Sequence, residues 1–273
     1  MTIKLVAIDM DGTLLNEQGM ITDAVAETIK RARKQGVYIV LCTGRPLMGV
    51  LNYLTDLELV TLDDFVISYN GSLVLNSKSG EVISEYGLSR QDYLAIDTLA
   101  RQLNVHLHTV SREAIYTSNR DISRYTVNEA FLVDMPLKYR TPEEIAEQIS
   151  VTKMMMIDEP EILADAIGKI PQHYFEQYTL VTSAPYYLEV LNREASKGAA
   201  LRELAAYLSI NASEIMAIGD AQNDLSMIEY AGLGIAMGNA TEEIKAAADH
   251  IVASNAEDGV KEAIDRWAMG NVL

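Results

Sequence analysis

A chain of 273 residues, 49% of them hydrophobic, can build one large core or two modest ones. Its net charge of −17 and pI near 4.6 argue against nucleic acid as a partner, because a phosphate backbone is held by clustered Lys and Arg. An anionic small substrate would meet the same unfavourable field, so its site must supply local positive charge.

The single cysteine, Cys42, rules out an intramolecular disulfide and fits a reducing compartment. MTIKLVAID reaches an acid before a signal core could form, and no run approaches the ~18 apolar residues of a membrane span. The expectation is a cytoplasmic protein with no membrane partner; monomer and homodimer both stay open.

In chain order, IKLVAID is a near-continuous apolar run of the kind shown by strands buried on both faces. Thr22 can cap the helix DAVAETIKRARKQG, in which Val25, Ile29 and Ala32 share a face and Gly36 provides the stop. VYIVLC is again a buried strand, which completes a β-α-β unit. FVISYNGSLVLNSKSGEVISEYG, punctuated by Asn70-Gly71, reads as a β-hairpin region.

From about Tyr86 to Leu188 the rhythm changes. Helix QDYLAIDTLARQL, strand VHLHTV, irregular YTSNRDIS, a helix after Thr141-Pro142, strand KMMMID, a helix near 161–170 and TLVTSAPYYLEVL suggest an inserted α+β module. Alternating helices and strands then return: KGAALRELAAYL, IMAIG, LSMIEYAG, LGIAM, TEEIKAAAD, HIVAS and DGVKEAIDRWA. The expected organisation is a doubly wound, mainly parallel α/β core in residues 1–85 and 189–273, split by a domain over 86–188.

Ligands of open α/β sheets bind beyond the carboxyl ends of the strands. The polar residues there are Asp9 and Asp11, then Thr43 and Arg45, then Asp220, Asn223 and Asp224. Two acids flanking Met10 before the turn residue Gly12 can divide the labour, one attacking and one transferring protons. A carboxylate that attacks phosphorus forms an acyl phosphate, labile enough for water to release in a second step.

Asp9, Asp220 and Asp224 offer only hard oxygen and need a balancing cation, which suits Mg²⁺. Lys197, behind the N-cap candidate Ser196, carries a cation where the helix dipole disfavours it by about 0.3–1 kcal/mol, and so invites an anion. Thr43-Gly44 and Arg45 precede Pro46 at another helix start, where free N–H groups suit phosphate oxygens.

DMDGTLL from Asp9, TGRP from Thr43, YNGSLV from Tyr69, KMMMIDEP from Lys153, SAPYYLEVLN from Ser183, Lys197-Gly198 and GDAQND from Gly219 resemble the haloacid dehalogenase superfamily, in particular its Cof-type sugar phosphatases. The resemblance spans essentially the whole chain. It implies a Rossmann-like core with a C2-type cap, and hydrolysis of a small phosphorylated metabolite, a sugar phosphate.

By this resemblance Asp9 is nucleophile and Mg²⁺ ligand, and Asp11 is general acid/base that binds the metal through its backbone carbonyl. Asp220 completes the protein ligands, while Asp224 stands behind them. Thr43, Lys197 and Asn223 would hold phosphoryl oxygens, with backbone N–H groups from Met10 and Gly44. About 30 residues separate Asp11 from Thr43 and roughly 150 separate Thr43 from Lys197, so any cap must lie in the second gap.

In the insert Tyr116, Asn119, Arg120, Tyr187 and Glu189, with Arg45 from the core, could reach a sugar. His106 and His108 share a strand face but lack a third ligand, and read as ordinary insert residues. GLGIAMG follows a helix rather than a strand, which rejects dinucleotide binding. A phospho-aspartate signalling module or a silent phosphometabolite-binding protein is the rival from another class; in receiver domains the acid pair precedes the phosphorylated aspartate, the reverse of the order here.

Overall fold

LVAID forms strand β1 (Leu5–Asp9), buried at all five positions as a strand covered on both faces requires. In the computed structural model, which describes residues 2–269, it is followed by helix α1 (Asp23–Lys34). The Thr22 hydroxyl accepts from the Val25 N–H at its start, and Val25, Ile29 and Ala32 face inward. Then come β2 (Tyr38–Cys42), α2 (Leu51–Asp56), β3 (Phe65–Ser68), β4 (Leu73–Asn76) and β5 (Val82–Glu85).

The insert begins with α3 (Arg90–Leu103), under a reciprocal cap between Ser89 and Asp92. It continues through β6 (His106–Val110), β7 (Ile115–Thr117), α4 (Arg124–Leu132), β8 (Leu137–Tyr139), α5 (Pro142–Gln148) and β9 (Lys153–Ile157). Helices α6 (Pro160–Ile167) and α7 (Gln172–Gln177) and strands β10 (Tyr178–Ala184) and β11 (Tyr187–Asn192) complete it.

Its sheet runs β10-β11-β9-β6-β7-β8, antiparallel except at β7–β8. Leu107, Met154, Met156, Leu188 and Val190 form one core with Tyr93, Ile96, Ile145 and Leu163 from α3, α5 and α6.

The chain then forms α8 (Lys197–Leu208), β12 (Ile215–Gly219), α9 (Leu225–Tyr230), β13 (Leu233–Ala236), α10 (Glu242–Ala247), β14 (His250–Ile251) and α11 (Gly259–Ala263). One unit comprises the chain up to Ser84 and from Ser196 onward, the other Glu85–Ala195. The boundary expected at Leu188 therefore moves: β11 keeps pairing with β10 as far as Asn192, opposite Tyr178, so the insert extends past it.

The first unit's sheet has the order β14-β13-β12-β1-β2-β3-β4-β5, parallel from β14 to β3 with β4 antiparallel to β3. From β1 the chain steps outward through β2 and β3; from β12 it steps outward the other way. The reversal lies between β1 and β12, and the crevice beyond their carboxyl ends is where such sheets place a ligand. No described helix is long and apolar enough to cross a membrane.

Candidate active site

Asp9 is the last residue of β1, Thr43 follows β2, Asp220 follows β12, and Lys197 opens α8 behind Ser196, whose hydroxyl accepts from the Ala199 N–H at 3.1 Å. Lys197 is fully buried, and its Nζ donates to Asp9 Oδ1 at 2.5 Å and to Asp224 Oδ1 at 2.6 Å. Burial works to lower the ammonium's pKa, but the two carboxylates outweigh it and hold Lys197 above its ordinary value.

The three acids differ in how they are satisfied. Asp224 is saturated, because besides Lys197 its Oδ2 accepts from the backbone N–H groups of Asp220 at 2.9 Å and Ala221 at 3.1 Å. Asp220 Oδ1 accepts from the Thr13 hydroxyl at 2.9 Å. Asp9 Oδ2 is buried and has no hydrogen-bond partner.

Burial pushes the Asp9 carboxyl up to about 8 against the pull of Lys197, with Asp224 and Asp220 adding to the rise. Burial likewise raises Asp220. One oxygen from each of Asp9, Asp220 and Asp224 lies within 4.8 Å of the others, the one metal-capable group of three or more among the described residues. Three acids against one ammonium, all hard oxygen with one orphaned, fit a cation such as Mg²⁺.

Gly12 makes this crowding possible. Its φ of +90° is a left-handed conformation, and a Cβ there would lie 2.4 Å from Asp220 Oδ2. Met10 is fully buried. Cys42 is the expected inert hydrophobe: burial pushes its thiol up to about 12.

Asp11 is placed differently from Asp9. Its side chain is 57% exposed and takes a two-pronged grip from Arg45, Nη2 to Oδ1 at 2.5 Å and Nε to Oδ2 at 2.9 Å. Arg45 also lies 5.7 Å from the centre of the Tyr53 ring, whose hydroxyl donates to the Gly19 carbonyl. Arg45 is thus engaged with an acid of its own unit.

Thr43 is buried, and its hydroxyl accepts from the Arg45 N–H at 3.1 Å. Asn223 donates from Nδ2 to Asn70 Oδ1 at 3.1 Å. The residues expected in the insert serve its own architecture. Asn119 Oδ1 accepts from the Leu107 N–H, Tyr187 donates to the Tyr125 carbonyl, and Glu189 pairs with buried Lys153, while Arg120 is exposed.

His106 meets Asp158 at 2.8 Å, and His108 is buried between Thr126 and the Met155 sulfur. Two residues touching these contacts are missed in the sequence, Thr13 and Asn70. Their signals are the threonine closing DMDGT and the Asn-Gly dipeptide, read there only as a turn.

A family model described as haloacid dehalogenase-like hydrolase matches residues 6–264. A candidate phosphatase of Streptococcus pyogenes serotype M6 is 46% identical over 98% of this chain and 100% of its own. A 5-amino-6-(5-phospho-D-ribitylamino)uracil phosphatase of Bacillus subtilis is 33% identical over 98% of this chain and 96% of its own.

Among solved structures, a haloacid dehalogenase-like hydrolase from Bacteroides thetaiotaomicron superposes with a TM-score of 0.84 at 33% identity, covering 97% of this chain and 99% of that one. A subclass IIB sugar phosphatase of the same superfamily gives 0.77 at 26% identity, with 96% and 98% covered. With sheet order, strand-end acids and buried lysine in agreement, the chain belongs to the haloacid dehalogenase-like hydrolases.

Proposed function

We propose that this protein is a Mg²⁺-dependent phosphatase that hydrolyses small phosphomonoesters through a phosphorylated Asp9. The observation that carries this reading is the buried Asp9 carboxylate, with one oxygen on Lys197 and the other without a partner. A buried carboxylate oxygen without a donor is costly unless a ligand completes it.

Asp9 attacks phosphorus, the bond from phosphorus to the leaving oxygen breaks, and Asp11 gives that oxygen its proton. The Asp11 carboxylate then takes a proton from water as the water oxygen attacks phosphorus, and the bond to Asp9 breaks. Inorganic phosphate leaves and both acids return to their starting state. Because Arg45 occupies both Asp11 oxygens, this exchange requires the pair to open.

Lys197 and Thr43, with the backbone at Met10 and Gly44, hold the phosphoryl oxygens. Mg²⁺, held by Asp9, Asp220 and the Asp11 carbonyl, would neutralise phosphoryl charge when bound. The names of the relatives, a sugar phosphatase and a phosphoribitylamino-uracil phosphatase, support a substrate in which phosphate sits on a polyhydroxylated carbon chain.

The test is phosphate release from a panel of sugar and polyol phosphates with Mg²⁺ and with excess EDTA. Turnover that needs the metal is expected; full activity in EDTA overturns the metal-dependent mechanism.

A further inference from the structure

The loop between β3 and β4 does more than close a hairpin. Tyr69, Asn70 and Gly71 all have positive φ, at 51°, 54° and 95°. Asparagine and glycine tolerate this, but a bulky aromatic seldom does. Such a run persists only where its surroundings hold it.

What holds it is the phosphate site. The Asn70 N–H donates to the Thr43 carbonyl at 2.9 Å and the Tyr69 N–H to the Arg45 carbonyl at 3.3 Å. The Asn70 carboxamide covers Gly44, where a Cβ would lie 3.1 Å from Asn70 Nδ2. Gly71 packs on the start of α8, where a Cβ would lie 2.1 Å from the Ser196 carbonyl oxygen, one residue before Lys197. Asn223, exposed on the short turn after β12, donates to Asn70 Oδ1.

We propose that Asn70 is a positioning residue of the phosphate site and acts through Asn223. A carboxamide nitrogen carries two N–H donors. Asn70 takes one of them and thereby fixes the plane of an otherwise free side chain, leaving the second N–H for a phosphoryl oxygen. The left-handed backbone at 69–71 brings Asn70 within reach of Asn223 while its own N–H braces the Thr43 loop.

The inference rests on the phosphatase reading and is tested with p-nitrophenyl phosphate and acetyl phosphate at saturating Mg²⁺. Asn70→Gly keeps the left-handed backbone and deletes the carboxamide; Asn70→Ala deletes it and strains the backbone as well. Misplacing a binding group costs up to about a hundredfold, so Asn70→Gly and Asn223→Ala should each lower kcat/KM by about 10- to 100-fold. The double variant should be no worse than the poorer single one.

Wild-type activity in Asn70→Gly, or effects that multiply in the double variant, would overturn the role of Asn70. Asn223→Ala, at an exposed position, tests the same idea should the loop variants fold poorly: an unchanged kcat/KM there also overturns it. If wild-type protein turns over neither ester, the phosphatase reading itself fails and takes this one with it.

Discussion

Each unit buries a lysine, and the two lysines differ in what surrounds them. In the insert, Lys153 Nζ meets Glu189 Oε2 at 3.0 Å, with side chains 4% and 8% exposed. The second acid there, Glu129, is raised by burial and by Glu189 despite the opposing pull of Lys153, which moves it toward its neutral form. Charge in the insert comes close to balancing. In the core, Lys197 faces Asp9 and Asp224 with Asp220 beside them, and one Asp9 oxygen is left over. A balanced buried pair needs nothing further; surplus acid with an orphaned oxygen needs a ligand.

The contrast is broken most severely at Asp9. Asp9→Asn should lower kcat at least about 10⁴-fold, as loss of a nucleophile does, and borohydride reduction of wild-type protein quenched during turnover should convert the phosphorylated Asp9 to homoserine. Trapped protein that yields no homoserine at position 9 would mean that water attacks phosphorus directly.

Lys153→Met tests the other lysine. Left alone in the interior, Glu189 should cost about 3–5 kcal/mol of stability, whereas Lys153→Met with Glu189→Leu should restore most of it. Urea unfolding gives the stabilities, and turnover of acetyl phosphate by the double variant should match wild type. A large loss of that turnover would mean that the insert's pair also serves the chemistry.

Lys197→Ala should cost about 3–4 kcal/mol of transition-state stabilisation, roughly a hundredfold or more, and by a similar factor for every ester, because the phosphoryl group is common to all. A variant that reorders the substrates while sparing acetyl phosphate would contradict this.

The smallest effect concerns His108. Burial, with Lys153 nearby, holds its pKa down from 6.5 to about 3. Between those values the unfolded chain binds a proton that the folded chain does not, so stability falls as pH falls through that window. His108→Gln should flatten the fall in Tm, and equal slopes in both proteins would show that His108 does not titrate this way.

The strands that carry the site were legible because β1, β2 and β12 are nearly continuous apolar runs, with the polar residue last in β1 and immediately after β2 and β12. Asp9, Thr43, Asp220 and Lys197 could be found from their places at strand and helix ends alone. Helix α4 could not: it buries Thr126 and Ala130 while Val127, Phe131 and Leu132 lie exposed at 52%, 84% and 63%, so its apolar residues trace no inward stripe.

Helices α2 and α7 are six residues each, too short for a period to show. The grip of Arg45 on Asp11 and the bond between Asn70 and Asn223 depend on loops that approach only after folding. The residues themselves carry no mark of it.

Gly12 and Asp220 stand 208 positions apart, yet the room for one is set by the other. A methyl group at 12 could be accommodated only if the acid withdrew, and withdrawal would pull that acid away from Asp9 and from the Thr13 hydroxyl. A second-site change has nothing to trim, since the obstructing atoms are the acid's own carboxylate. Inheritance at position 12 is therefore policed from the far end of the chain, and the glycine in Asp-Met-Asp-Gly records empty space that folding fills with a carboxylate.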